Sequence, residues 1–263
     1  MTVLAVSVVF VFGLMVGSFL NVCIWRLPQG EQIVKGRSHC RHCKKEIFWY
    51  DNIPLVSFIL LKGRCRFCRE RIEWNYPLVE LLTGLFFAAA LARFGWTALA
   101  AVYAGLAAVL ILLAFIDWRE MILPDEITLP GVSLGAVLSF FLPQLHQAPN
   151  NWAGIWAAVV GALAGAGVVW GIGAVGSWFF KREAMGFGDV KLMAMVGTFI
   201  GWQKVLLVNF ILGPVLGATV GMVLKVRYGR DVIPYGPFLG LGTMIAVFFG
   251  ADWIRWYLGL LGF

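Results

Sequence analysis

The fold class of this chain follows from an uncharged apolar run at residues 3–24, VLAVSVVFVFGLMVGSFLNVCI. A helix that crosses the hydrocarbon core of a bilayer needs about 20 mostly apolar residues, and this run is long enough. No basic residue precedes it and no small-residue cleavage site follows it. We therefore predict a retained membrane span and not a removed signal peptide.

The composition of the whole chain extends this prediction. Of the 263 residues, 60% are hydrophobic and 13% are charged, which argues against an ordinary water-soluble domain. Further apolar runs, separated by short turns, lie at 77–92, 97–116, 127–142, 153–180, 190–201, 204–224 and 237–261. Together with the first run, they predict an all-α, polytopic membrane protein with about eight transmembrane helices.

One of these runs, 190–201, is too short to cross a full bilayer as a straight helix. The Gly201-Trp202 pair after it predicts a break in the helix. We therefore expect a half-length helix that packs among its neighbours and does not face lipid.

Basic residues predict the orientation of the chain. Residues 25–76 hold 11 of the 21 lysines and arginines but 5 of the 14 acids. Short loops rich in lysine and arginine stay in the cytoplasm, so this loop is predicted to be cytoplasmic. Counting spans from it places 117–126, 181–189 and 225–236 on the same side.

Three parts follow from this topology: a first transmembrane helix at 1–24, a cytoplasmic loop domain at 25–76, and a membrane core at 77–263. The net charge of +7 arises mostly from the basic loops. Anionic lipid head groups are the partner that such loops favour, and the charge gives no reason to expect a nucleic acid.

Four of the five cysteines lie in the basic loop, as two Cys-x-x-Cys pairs separated by 21 residues: Cys40, Cys43, Cys65 and Cys68. Such pairs are typical of a zinc ribbon or knuckle, in which each supplies half of a tetrahedral thiolate cage. Disulfides are the alternative, but they are rare on the reducing cytoplasmic side. We predict a structural Zn²⁺ without a position for catalytic water. His39 and His42 are weaker candidate ligands, and Cys23 is predicted to be a packing residue.

Three acids share the predicted cytoplasmic boundary. Asp117 ends an apolar run, Asp125 follows Leu123-Pro124, and Asp189 follows a glycine pair. Ionisable groups at the edge of the hydrocarbon are costly, which makes them functional candidates. Two carboxylates at one depth can share a proton, so that one acts as a base toward water while the other polarises a carbonyl, as in aspartic proteases.

Simpler interpretations of these residues stay open. Asp117 and Asp125 also suit a helix end and a helix N-cap. Gly186 and Gly188 would let the backbone bend, or let another chain approach, just before Asp189. Lys191 either orients Asp189 and tunes its protonation or is a plain interfacial lysine.

Other catalytic patterns do not occur in the sequence. It has no Gly-x-Ser-x-Gly elbow, and His146 falls in a predicted non-cytoplasmic loop. It also has no His-Glu-x-x-His motif and no glycine-rich dinucleotide fingerprint.

An ordered set of motifs resembles the bacterial type IV prepilin peptidases, membrane aspartic proteases that share a Gly-x-Gly-Asp motif with presenilin. The motifs are Gly17-Ser18-Phe19-Leu20-Asn21-Val22, Arg26-Leu27-Pro28, the two Cys-x-x-Cys pairs, Asn52-Ile53-Pro54-Leu55-Val56-Ser57, Tyr76-Pro77-Leu78-Val79-Glu80, Ile116-Asp117, Leu123-Pro124-Asp125, Met185-Gly186-Phe187-Gly188-Asp189-Val190-Lys191 and Ile233-Pro234-Tyr235-Gly236-Pro237-Phe238. They cover the whole length of the chain.

The resemblance implies an enzyme of the bacterial inner membrane that acts on type IV prepilins or pseudopilins of pilus or type II secretion systems. It would cleave the short basic leader after a glycine and then N-methylate the new terminus with S-adenosylmethionine. The catalytic roles transfer to Asp117 and Asp189, and Asp125 is expected to support them.

The resemblance does not say where S-adenosylmethionine binds. By elimination it would use the loop 25–76 and helix ends such as the one near Glu80. A peptidase without methylation is one alternative function. An ion-coupled membrane transporter is another, because paired acids in glycine-rich helices also serve that purpose.

Overall fold

The computed structural model describes residues 2–33, 38–181, 185–229 and 233–260. Its α-helices are α1 (Val3–Arg26), α2 (Val56–Leu60), α3 (Asn75–Phe94), α4 (Ala98–Glu120), α5 (Asp125–Phe141), α6 (Asn151–Phe180), α7 (Phe187–Leu207), α8 (Gly213–Tyr228) and α9 (Gly236–Leu260). A single turn of π-helix, Val208–Leu212, joins α7 to α8. Across these ranges the only β pairing is two isolated bridges in the cysteine loop.

The predicted all-α membrane fold is confirmed, and each of the eight predicted runs is helical within the described residues. Six helical stretches are long and apolar enough to cross a membrane: Val3–Gln29, Asn75–Phe94, Ala98–Glu120, Asn151–Phe179, Phe187–Arg227 and Gly236–Leu260. The predicted runs 190–201 and 204–224 are joined in one of these, and α5 has only 17 residues. Parts of the predicted loops (34–37, 182–184, 230–232) and residue 261 of the last predicted span lie outside the described residues.

The chain divides into two compact units, residues 1–112 and 113–263. In the first unit, α1 packs closely on α3 through small residues. A Cβ added to Gly17 would lie 2.7 Å from the Cα of Glu80, and one added to Gly13 would lie 2.8 Å from the Cα of Gly84. Small residues allow such close contact between membrane helices, where packing replaces the hydrophobic effect as the driving force.

In the second unit, α6 and α7 pack backbone against backbone. A Cβ added to Gly161 would collide with the carbonyl of Gly197, and one added to Gly197 would collide with the carbonyl of Gly161. The first half of α7 is mostly buried, as predicted for residues 190–201. This packing fixes the start of α7, where Asp189 lies.

The predicted break at Gly201 is present. Gly201 has φ 78° and ψ 168°, a conformation that is essentially restricted to glycine, and it interrupts the regular geometry of α7. His146 packs beside it, because a Cβ on residue 201 would lie 3.1 Å from His146 Nδ1.

Candidate active site and metal centre

Asp117 lies in the last turn of α4 and is 6% exposed. Its Oδ2 accepts a hydrogen bond of 2.9 Å from the backbone N–H of Gly236, the first residue of α9. A Cβ on residue 236 would lie 2.6 Å from this oxygen, so the contact requires glycine. Asp117 therefore does more than mark a helix end: its carboxylate is held against the start of another helix.

Asp189 lies in the first turn of α7, after Gly186 at the N-cap position, and is 9% exposed. Gly188 permits close packing, because a Cβ there would lie 3.1 Å from Leu123 Cβ. Gly186 is under less steric restriction, since its nearest neighbour would be Asp189 Oδ2 at 3.7 Å. Gly188 thus lets Leu123 pack closely against the residue next to Asp189.

The carboxyl groups of Asp117 and Asp189 interact electrostatically. The negative charge of Asp117 acts on Asp189, and both carboxyl groups are buried within the second unit. Buried carboxyl groups that feel one another's charge are the arrangement needed to share a proton.

Lys191 contacts Asp125, whereas one of its two interpretations placed it against Asp189. Its Nζ donates to both carboxylate oxygens of Asp125, at 2.6 and 2.7 Å, and lies 5.1 Å from the ring centre of Phe187. Asp125 is the first residue of α5, whose N-cap position is Pro124, and its side chain makes this ion pair and does not cap the helix. The pair joins the starts of α5 and α7.

Tyr235 is a site residue to which the sequence analysis assigned no role. It lies just before α9, and its half-buried phenol feels the charge of Asp189. Burial, and to a lesser extent that charge, raise the pKa of Tyr235 to about 12. The Pro-Tyr-Gly-Pro motif at 234–237 could have indicated this role from the sequence. A tyrosine at a turn between two apolar runs needs a polar environment for its hydroxyl.

The four cysteines of the loop come together as predicted. Their sulfur atoms all lie within 4.8 Å of one another, and Cys40 Sγ is 3.8 Å from Cys68 Sγ. Four thiolates at the usual Zn–S distance of about 2.3 Å would be ~3.8 Å apart at the corners of a tetrahedron, so the cluster fits zinc. His42 lies with its Nε2 3.9 Å from Glu70 and takes no part in the cluster.

The two halves of this cluster are structural repeats, and the sign of this is a repeated sequence. Residues 40–47 read CRHCKKEI and residues 65–72 read CRFCRERI. In each, the N–H of the first cysteine bonds to the carbonyl five residues later, and the residue after the second cysteine has positive φ (Lys44, 57°; Arg69, 60°). Each half is thus a hairpin that presents two thiols.

Between these hairpins lies a turn held by a buried acid. Leu55 has φ 59° and ψ −45°, and the N–H of Val56 bonds to the carbonyl of Pro54 at 2.6 Å, which makes a strained γ-turn. Glu80, buried in α3, accepts the N–H of Leu55 at 2.9 Å and a hydrogen bond from Ser18. Three of the quoted motifs therefore meet at Glu80, within the first unit.

Two buried carboxyl groups that interact electrostatically in a helical membrane chain are the arrangement that the resemblance to membrane aspartic proteases implies. Comparisons with known proteins agree. Residues 11–94 match the Bacterial Peptidase A24 N-terminal domain, and residues 104–222 match the Type IV leader peptidase family. The chain belongs to the type IV leader peptidase family.

Relatives of this chain carry the name prepilin leader peptidase/N-methyltransferase. One from Aeromonas hydrophila is 38% identical over 96% of this chain and 93% of its own length. A second, from Pseudomonas putida, is 35% identical over 98% and 95%, and a third, from Myxococcus xanthus, is 43% identical over 84% and 63%. No solved structure matches the chain.

Proposed function

We propose that this protein is a membrane aspartic endopeptidase that cleaves the basic leader of type IV prepilins or pseudopilins after a glycine and N-methylates the new terminus. The observation that carries the proposal is the pair of buried acids, Asp117 and Asp189, whose charges interact. The names of the relatives support both activities and do not favour a transporter.

In the proposed mechanism the two acids share one proton and hold a water between them. Asp117 is the base, because its Oδ2 already accepts the N–H of Gly236, an arrangement that suits a carboxylate. Asp189 carries the proton. Water attacks the glycine carbonyl, its proton passes to Asp117, and the proton of Asp189 passes to the carbonyl oxygen to give a gem-diol.

Collapse of the gem-diol completes the reaction. The C–N bond breaks as Asp117 gives its proton to the leaving nitrogen, while one diol proton returns to Asp189. The products are a carboxylic acid and a free amine, and both aspartates return to their starting states. Asp125, through its ion pair with Lys191, supports the position of α7 without touching the reacting atoms.

The basic loops support an inner-membrane location with the cysteine loop and both acids toward the cytoplasm. Residues 25–76 carry 11 lysines and arginines, and short basic loops stay on that side. The leader's basic end would stay there for the same reason. Mass spectrometry of a prepilin incubated with the purified protein and S-adenosylmethionine tests both activities, since cleavage and methylation give separate mass shifts.

Zinc is the proposed occupant of the cysteine cluster, with a structural role. We expect one zinc per chain, and replacement of Cys65 by serine should remove most of it and lower the melting temperature, because a metal bound only by the folded loop stabilises that loop. Metal analysis and thermal unfolding measure both effects. Cys23→Ala is the control, since Cys23 lies in α1, and zinc-free wild-type protein from zinc-replete cells would rule the site out.

S-adenosylmethionine is the proposed methyl donor, and we propose that it binds at the loop 25–76 and the helix end near Glu80. Glu80→Gln keeps the size of the side chain but weakens its hydrogen bond to Leu55, because bonds to charged groups are stronger by about 1 kcal/mol. We expect methylation to fall about fivefold, the factor that corresponds to about 1 kcal/mol, while cleavage is unchanged.

Both rates are measured on one prepilin by mass spectrometry, and the exposed Glu31→Gln variant is the control. Normal methylation by Glu80→Gln would exclude Glu80 from this role. An equal loss of both activities would mean that Glu80 only supports the fold.

A further inference from the structure

Tyr235 is placed by a row of glycines on α8. A Cβ on residue 213 would lie 2.9 Å from the Tyr235 hydroxyl oxygen, and one on residue 217 would lie 3.1 Å from its ring carbon Cε2. A Cβ on Gly221 would lie 3.3 Å from Ile233 Cδ1. These three glycines, spaced by four residues, form one helix face against which the segment 233–235 packs. The phenol ring is therefore held in a defined position.

The turn that carries Tyr235 interacts with both acids. Gly236, the next residue, donates its N–H to Asp117 Oδ2, and the charge of Asp189 acts on the phenol. One dipeptide, Tyr235-Gly236, thus interacts with both carboxyl groups that the proposed reaction uses, with Asp117 through a hydrogen bond and with Asp189 through its charge. The contacts are all within the second unit.

The hydroxyl of Tyr235 is available as a donor. It makes no hydrogen bond to any residue that the structure describes. With its pKa at about 12, the phenol keeps its proton throughout the pH range in which a peptidase works. A half-buried, protonated donor that has no acceptor among the described residues, and that feels the charge of Asp189, is suited to an acceptor that the substrate brings.

We propose that the Tyr235 hydroxyl donates a hydrogen bond to the carbonyl oxygen of the scissile bond and stabilises the negative charge that develops there as water attacks. Fixed donors of this kind act more strongly in the transition state than in the bound substrate, because the oxygen gains charge. Tyr235 keeps its proton, and no covalent bond to it forms or breaks. The inference rests on the proposed peptidase function and adds a third catalytic residue to the acid pair.

The first test is Tyr235→Phe, which removes the hydroxyl and keeps the ring. Loss of one such donor costs about 100- to 1000-fold in rate, so kcat for prepilin cleavage should fall by that factor while KM changes little. The rate of methylation of an already cleaved pilin should be unchanged. Tyr257→Phe, at an exposed tyrosine of α9, is the matched control and should cleave normally.

Each outcome decides the inference. Cleavage by Tyr235→Phe within about threefold of wild type, or a rise in KM alone, would overturn it. If Asp117→Asn and Asp189→Asn are inactive in the same assay, the proposed function stands although the tyrosine role is lost. If those variants cleave normally, the proposed function itself fails.

A second variant separates hydrogen bonding from packing. In protein with 3,5-difluorotyrosine at position 235, the side chain keeps nearly the same shape and keeps its hydroxyl, so the packing on α8 and the hydrogen-bond donor are both retained. We expect kcat at acidic and neutral pH to stay within about tenfold of wild type, against the 100- to 1000-fold loss of Tyr235→Phe. A larger loss would overturn the proposal, because a protonated hydroxyl at this position would then not be sufficient for cleavage.

Discussion

Replacement of Asp189 or Asp117 by asparagine should stop leader cleavage and leave the protein folded. Asparagine has nearly the same shape, so the packing at the starts of α7 and α9 is kept, but it can neither take nor give the shared proton. General acid–base catalysis contributes about 100- to 10,000-fold, and we expect losses in that range for either variant. Time courses of prepilin cleavage in detergent, read by mass spectrometry, measure them.

Asp125→Asn is the matched control for this experiment. It breaks the ion pair with Lys191, but Asp125 is half exposed, and exposed pairs contribute about 0–1 kcal/mol. Cleavage by this variant should therefore stay within about tenfold of wild type. Binding of uncleaved prepilin by Asp189→Asn would show that the site is still assembled, and normal cleavage by either acid variant would end the dyad hypothesis.

The second large effect is expected from a single methyl group. In Gly236→Ala the new Cβ would lie 2.6 Å from Asp117 Oδ2, so that the carboxylate has to move. The atom that moves is the end of a side chain, so the melting temperature should change little. The same atom is the proposed base, however, and cleavage should fall by about 100-fold, because small displacements of catalytic groups have effects of this size.

Gly250→Ala is the control for this substitution. It lies in the same helix, and its Cβ would have ordinary contacts of 3.5 Å or more. We expect normal cleavage from it. Full activity in Gly236→Ala would mean that the Gly236–Asp117 bond has no part in the reaction, whereas parallel loss of stability in both variants would point to a general intolerance of α9.

The sequence predicted the helices because their signal is local. Long apolar runs, the short run at 190–201 and the glycine break at 201 can all be recognised within a few residues. The cysteine cluster was also predictable, since Cys-x-x-Cys spacing places two thiols on one hairpin and the oxidation state of the compartment argues for a metal.

The contacts of the candidate site were harder to predict because they join distant parts of the chain. Gly236 and Asp117 are 119 residues apart, and Lys191 and Asp125 are 66 apart. Proximity in sequence placed Lys191 two residues from Asp189, but helical geometry directs side chains i and i+2 to different faces. The cost of burying a carboxyl group identified Asp117 and Asp189 as candidates, but it could not show which backbone N–H donates a hydrogen bond to Asp117.

The two cysteine hairpins have a mechanical consequence for the turn between them. Leu55 lies within the 21-residue stretch that joins Cys43 to Cys65, and its backbone conformation costs about 1–3 kcal/mol. A metal bound by both hairpins would hold the two ends of this stretch together. The stretch would then have fewer unstrained conformations available to it. Loss of the metal would then allow the Leu55 turn to relax, although none of the four cysteines belongs to that turn.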